Sequence, residues 1–153
     1  FEFLIIDIGA GIGANAIGFV AQADHAVVIV TPEPTSMADA YGLIKSLTRK
    51  SYAGRISIIV NRAASILEAR TISDKMIALT MQFLDQTVDT LGFLLEDQAV
   101  IGAVKNQRPF SDANRRSRAA RSIARIANGI EGSEPATGRE EGRIKEWIRT
   151  LLN

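Results

Sequence analysis

Cysteine is absent from the 153 residues, and histidine occurs once, at His25. The first absence excludes disulfides, thiolate catalysis and cysteine-ligated zinc, and the second leaves no histidine-based metal site. No apolar run approaches the ~18–20 residues that a membrane-spanning helix needs. The phosphate-binding word G-K-[ST] occurs nowhere. Charge of one sign is lacking as well: 18 Lys and Arg against 17 Asp and Glu leave +1, which does not announce a nucleic-acid binder. What is present is an ordinary globular composition, 46% hydrophobic and 23% charged, at a length that suits about one domain. Phe1 already lies in an apolar run, so the chain is expected to start in mid-domain.

The hydrophobic pattern alternates between short continuous runs and helical spacings. Phe3–Ile6, ending in Asp7 and a glycine cluster, predicts a parallel strand buried on both faces. Ile12–Gln22 predicts a helix, and Ala26–Val30 a second buried strand stopped by Thr31-Pro32-Glu33-Pro34. Thr35 or Ser36 is expected to cap the next helix, in which Met37, Tyr41, Ile44 and Leu47 have helical spacing. Arg55–Val60 predicts a third strand ending in Asn61-Arg62. A long helix over Ile66–Leu84 follows, with Ile72, Met76, Leu79 and Phe83 along one stripe. Thr90–Leu95 is the fourth expected strand, with Glu96-Asp97 at its end; helices then cover about Gln98–Asn106 and Ala113–Ala127. This alternation predicts an α/β fold with a mainly parallel sheet and flanking helices. Ligands of such sheets bind at the carboxyl ends of the strands. Here those ends carry Asp7 with glycines, Pro32-Glu33, Asn61-Arg62 and Glu96-Asp97.

The stretch Asp7-Ile8-Gly9-Ala10-Gly11-Ile12-Gly13-Ala14 admits three chemical readings besides a plain tight turn. Free backbone N–H groups at such a turn attract anions, and no side chain blocks their approach. Gly9, Gly11 and Ala14 fit a dinucleotide-binding G-x-G-x-x-A, with Glu33 placed about 20 residues on as a ribose-binding acid. Asp7-x-Gly9-x-Gly11-x-Gly13 also fits a methyltransferase that uses S-adenosylmethionine. In the third reading Asp7 is a Walker-B-type aspartate, holding Mg²⁺ through water beside the phosphates of a nucleotide. The cluster by itself leaves all three open.

Four longer words carry a resemblance: FLIIDIGAGIG at Phe3–Gly13, ADHAVVIVTPEPTSMADAYGLIK at Ala23–Lys45, IIVNRA at Ile58–Ala63 and LGFLLEDQAVIGAVKNQRPF at Leu91–Phe110. In order and spacing they resemble the MinD/ParA-type P-loop ATPases, on the branch of the flagellar number regulators (FlhG), over about residues 1–130. The resemblance implies ATP with Mg²⁺ bound between two subunits of a homodimer. Asp7 would be the magnesium-side acid, with Gly9 and Gly11 in the switch that senses the γ-phosphate. Asn61 and Arg62 would flank the adenine, which suits an amide able to donate and accept and a guanidinium able to stack. Glu96 and Asp97 would lie in the loop over the base; Leu95 stands where the family commonly has proline. The family's Gly- and Lys-rich phosphate loop has no counterpart here and is expected upstream of Phe1, so residues 1–130 would be the carboxyl-terminal part of the ATPase domain and hydrolyse no ATP alone. A non-enzymatic regulatory module is the alternative in that case. The family further implies a cytoplasmic protein, peripheral at the inner face of the cell membrane, with an FlhF-like GTPase and flagellar switch proteins as possible partners.

Residues 111–130 carry five arginines and one acid, and Arg115, Arg118, Arg121 and Arg125 step at helical spacing along one face. Ala119, Ile123, Ile126 and Ala127 lie on another face. The arginines are either a solvated face or a docking surface for an acidic partner, anionic lipid or DNA. No aromatics interleave with them, and DNA is not expected as a partner. Residues 131–142, EGSEPATGREEG, read as a flexible linker. Beyond it Ile144, Trp147, Ile148, Leu151 and Leu152 form one apolar face over residues 143–153, opposite Arg143, Lys145, Glu146 and Arg149. This pattern predicts a short interfacial helix for an anionic membrane surface, or one that packs on its own domain. His25 is expected at a strand start rather than as a catalytic base.

Overall fold

The computed structural model describes residues 3–9 and 14–132. Helix α1 (Ala14–Val20) leads to strand β1 (His25–Val30), helix α2 (Pro34–Arg49), strand β2 (Arg55–Ala63), helix α3 (Ile66–Leu84) and strand β3 (Asp89–Leu95). Helices α4 (Gln98–Lys105), α5 (Phe110–Ala113) and α6 (Arg118–Glu131) complete the described chain. The three strands form one parallel sheet in the order β1-β2-β3. Right-handed crossovers that step along a sheet in one direction must place their helices on the same face. Accordingly α2 and α3 pack against each other and against the sheet.

The core lies under those two helices. Val28, Val30, Ile56, Ile58 and Val60 of the sheet meet Ile44, Leu47, Ile72 and Met76, all buried. β2 is central and buried on both faces from Ile56 to Val60, whereas β1 alternates. Ala26, Val28 and Val30 face the core, but Val27 and Ile29 are 37% and 52% exposed. The expectation of a doubly buried strand there is therefore corrected: α6 covers the second face over β3 and does not extend across β1. Ile126 of α6 lies against Gly92 of β3, where a side chain would collide with it.

Several local expectations change. Phe3–Ile6 is not a strand; it is irregular, and its four side chains are 44–90% exposed. A parallel strand needs ladder partners and a covered face, and these residues pair with none of β1, β2 and β3. Neither Thr35 nor Ser36 caps α2: Glu33 occupies the cap position and Pro34 opens the helix, where its missing N–H costs nothing. The Ser36 hydroxyl instead accepts the Thr31 N–H at 3.0 Å. Helix α3 has the expected bounds, set by Ser65, which accepts from the Glu68 N–H, and by left-handed Asp85. Its buried face is Ala69, Ile72, Ser73, Met76 and Thr80, while Leu79 and Phe83 are 37% and 61% exposed. The expected stripe thus holds at Ile72 and Met76 and fails at Leu79 and Phe83; Ser73 and Thr80 are buried instead, and their hydroxyls are bonded to Thr90 and to the Ile77 carbonyl, which makes their burial inexpensive.

The expected helix over Ala113–Ala127 divides into α5 and α6, separated by Asn114 to Ser117. Ser117 caps α6 by accepting the Ala120 N–H. Arg115 thus lies before the helix and pairs with Asp112, so only Arg118, Arg121 and Arg125 share a face of α6. Ala127 is exposed; Ala119, Ala120 and Ile126 are the buried positions. Glu131, expected in the linker, is the last residue of α6. The remaining linker residues and the segment 143–153, with Ile144, Trp147, Ile148, Leu151 and Leu152, lie outside the described residues.

Candidate functional site

The parallel register brings the carboxyl ends of the three strands side by side. Val30 pairs with Val60, Asn61 with Leu94, and Ala63 with Leu95. Arg62 is the extra residue between the last two pairs, with φ 58°, in the left-handed region. Such a bulge ends regular pairing and re-aims the side chain of the unpaired residue. Its amide N–H donates to Asn61 Oδ1 at 2.9 Å. That bond leaves the carboxamide NH₂ of Asn61 as the donor at the strand end.

Arg62 Nη1 stands 3.9 Å from Glu33 Oε1 across the tops of β2 and β1. Both side chains are more than half exposed, 64% and 51%, so the pair is a weak, salt-screened contact that leaves the guanidinium plane accessible. The Glu33 carboxyl is held below its ordinary value, first by the Thr31 hydroxyl, then by its own backbone N–H, with Arg62 a smaller cause. A groove of about 710 Å³ opens beside this edge between the first turns of α2 and α3, lined by Pro32, Pro34, Met37, Ser65, Leu67 and Thr71 among others.

Glu96 continues the β3 edge: its N–H donates to the Ala63 carbonyl at 3.0 Å and its side chain is exposed. Asp97 is engaged on both oxygens. Oδ1 accepts the Ala99 N–H at 2.9 Å and Oδ2 the Ala119 N–H at 3.0 Å, so one carboxylate caps α4 and clamps the start of α6. These bonds, Ala119 first and Ala99 second, hold its carboxyl below the ordinary range. Helix N-termini favour negative charge there.

Glu33, Asn61, Arg62, Glu96 and Asp97 are thus gathered on one edge. Asp7 and Gly9 lie on the irregular segment 3–9, and Gly11 falls outside the described residues. Among the described residues no group of three or more His, Asp and Glu could hold a metal ion. Reading the sequence missed the double cap by Asp97, for which only the Asp before a helical run was a signal. It also missed the cap Ser65-Ile66-Leu67-Glu68, a legible capping pattern in which Glu68 Oε2 accepts the Ala64 N–H at 2.7 Å.

No protein-family model matches the sequence. Antiactivator FleN of Pseudomonas aeruginosa is 32% identical over 99% of the chain and 54% of its own length. Septum site-determining protein MinD of Bacillus subtilis is 34% identical over 82% of the chain and 46% of its length. Flagellum site-determining protein YlxH of Helicobacter pylori is 31% identical over 49% of the chain and 25% of its length. The chain belongs to the FlhG/MinD family. It spans about half the length of FleN and MinD. Membership sets aside the dinucleotide and S-adenosylmethionine readings of the glycine cluster, and the parallel sheet with flanking helices agrees with it.

Proposed function

We propose that the chain is part of an FlhG-type, ATP-dependent regulator of flagellar number or placement. The observation that carries this reading is the Asn61–Arg62 bulge at the end of the central strand, on a chain alignable with FleN over 99% of its residues. The donor set there suits an adenine: a carboxamide with a free NH₂, and an accessible guanidinium plane beside it. Glu96 lines the same edge, and Asp97 fixes the adjoining loop by capping α4 and α6. Asp7, Gly9 and Gly11 are assigned to the magnesium and γ-phosphate side on the family pattern. ATP, when bound, supplies the ligand shared between two subunits. The dimer then rests on an anionic membrane through Ile144, Trp147, Ile148, Leu151 and Leu152, at the inner face of the cell membrane, with an FlhF-like GTPase and switch proteins as partners. No helix among the described residues is long and apolar enough to cross a membrane.

The test is binding of a fluorescent ATP analogue to the intact protein. Asn61→Ala and Arg62→Ala should each weaken it about tenfold, the factor for losing a hydrogen bond or stacking contact of ~1.4 kcal/mol. Affinities equal to the parent in both variants would refute the site. Flagella counted by electron microscopy in a deletion strain should return to the normal number with the parent gene, and not with either variant.

A further inference from the structure

Positive charge on this chain is concentrated. Residues 105–125 hold seven lysines and arginines and one acid, Asp112, in a chain whose net charge is +1. The structure aligns the centre of that charge. At about 100° per residue, Arg118, Arg121 and Arg125 fall within an arc of roughly 60° on α6, over about 10 Å of its length. All three are exposed, while Ala119, Ala120 and Ile126, outside that arc, are buried where α6 packs on the sheet. Asp112 is taken by Arg115, and Arg125 Nη2 meets only the neutral hydroxyl of Ser122 at 3.1 Å. Among the described residues none of the three ridge arginines forms a salt bridge.

We propose that this arginine ridge is a second membrane contact, which takes the phosphate headgroups of anionic phospholipids alongside the amphipathic tail. It rests on the membrane reading given above and deepens it. Binding of an amphipathic helix scales with its buried apolar area plus electrostatic attraction to anionic lipids, and five apolar residues offer little area, so added positive charge strengthens the contact. The chain connects the two directly: α6 ends at Glu131, and residues 132–142 can reach about 36 Å when extended. That exceeds the ~21 Å length of α6, so the tail can lie in the plane that the ridge touches. A flat, dense anionic layer matches a straight ridge on a helix that carries no aromatic side chain to stack on bases.

The test is sedimentation of the intact protein with phosphatidylcholine vesicles, with and without phosphatidylglycerol. The triple variant Arg118→Gln, Arg121→Gln, Arg125→Gln should lose on the order of a hundredfold in affinity for the anionic vesicles, about fivefold per arginine. It should match the parent on the neutral ones, show a flatter salt dependence, and melt like the parent because the three side chains are exposed. Unchanged binding to anionic vesicles overturns the proposal, and so does a loss confined to duplex DNA retention. The tail is read separately with Trp147→Asp, Ile148→Asp. If that variant binds like the parent while the triple arginine variant does not, the tail anchor fails and the ridge stands. A parent that sediments with neither vesicle overturns both.

Discussion

Replacing Gly92 with alanine tests how α6 is held on the sheet. Gly92 pairs with Ile59, on the face opposite Ile58 and Val60, and a Cβ built there would lie 2.8 Å from Ile126 Cγ1 and 3.2 Å from its Cδ1. Carbon atoms pack best at about 3.5–4.0 Å, so α6 must retreat or Ile126 must leave its rotamer. Overpacking of this kind costs about 1–3 kcal/mol. The loss of glycine's freedom in the unfolded chain offsets roughly 0.5–1 kcal/mol of that. The expected net destabilisation is about 1–2 kcal/mol. Ile126→Ala, at a site 4% exposed, should cost about 2–5 kcal/mol by itself. In the double variant the new methyl occupies part of the space that Ile126 vacates. Its cost should therefore fall short of the sum of the singles by about 1 kcal/mol or more. Urea denaturation followed by circular dichroism gives all four corners of the cycle, provided the m-values agree. A stabilised Gly92→Ala, or singles that add within ~0.3 kcal/mol, would refute the placement of Ile126 over Gly92.

Met76→Ala, at a fully buried core position, should destabilise by about 2–5 kcal/mol in the same denaturation assay, against under ~0.5 kcal/mol for the solvent-facing Lys75→Ala. His25 has its pKa lowered, by burial first and by Arg55 second, with Asp89 opposing. A depressed histidine contributes stability that is complete above its unfolded value, about 6.5, and is lost as pH falls below it. Melting temperature should therefore decline between pH ~6.5 and ~5 more steeply in the parent than in His25→Gln. Arg62→Gly relieves a left-handed backbone at φ 58° and should leave stability equal or higher, while Arg62→Val should lower it by about 1 kcal/mol or more. Thermal melts of the two variants compare them directly.

Hydrophobic period alone located much of this protein. Continuous apolar runs marked β1, β2 and β3 within a few residues, since strands of a parallel sheet are built from such runs. Helical spacing places α3 at Ile66–Leu84, and the ends of the apolar runs single out Glu33, Asn61, Arg62, Glu96 and Asp97. Period cannot say which way a helix is rolled. Met76 and Phe83 look equivalent in sequence, yet one is fully buried and the other 61% exposed, because the sheet accepts the bonded hydroxyls of Ser73 and Thr80 instead. Nor can it say whether an apolar run finds strand partners: Phe3–Ile6 reads like β1 but pairs with none of the three strands. The bulge at Arg62 and the double cap by Asp97 depend on register and on a contact 22 residues away in the chain.

The sequence by itself thus determined the α/β class, the alternation from β1 to β3 and the identity of the strand-end residues, because these follow from local pattern; the family followed from the resemblance of its longer words to known proteins. Tertiary structure decided the rest. It left Val27 and Ile29 bare by ending α6 over β3, turned Arg62 outward through a two-against-one pairing, and gathered Arg118, Arg121 and Arg125 into one ridge while removing Arg115 from it. Each of these depends on which surfaces meet across the fold, and that information is not contained in any single stretch of chain.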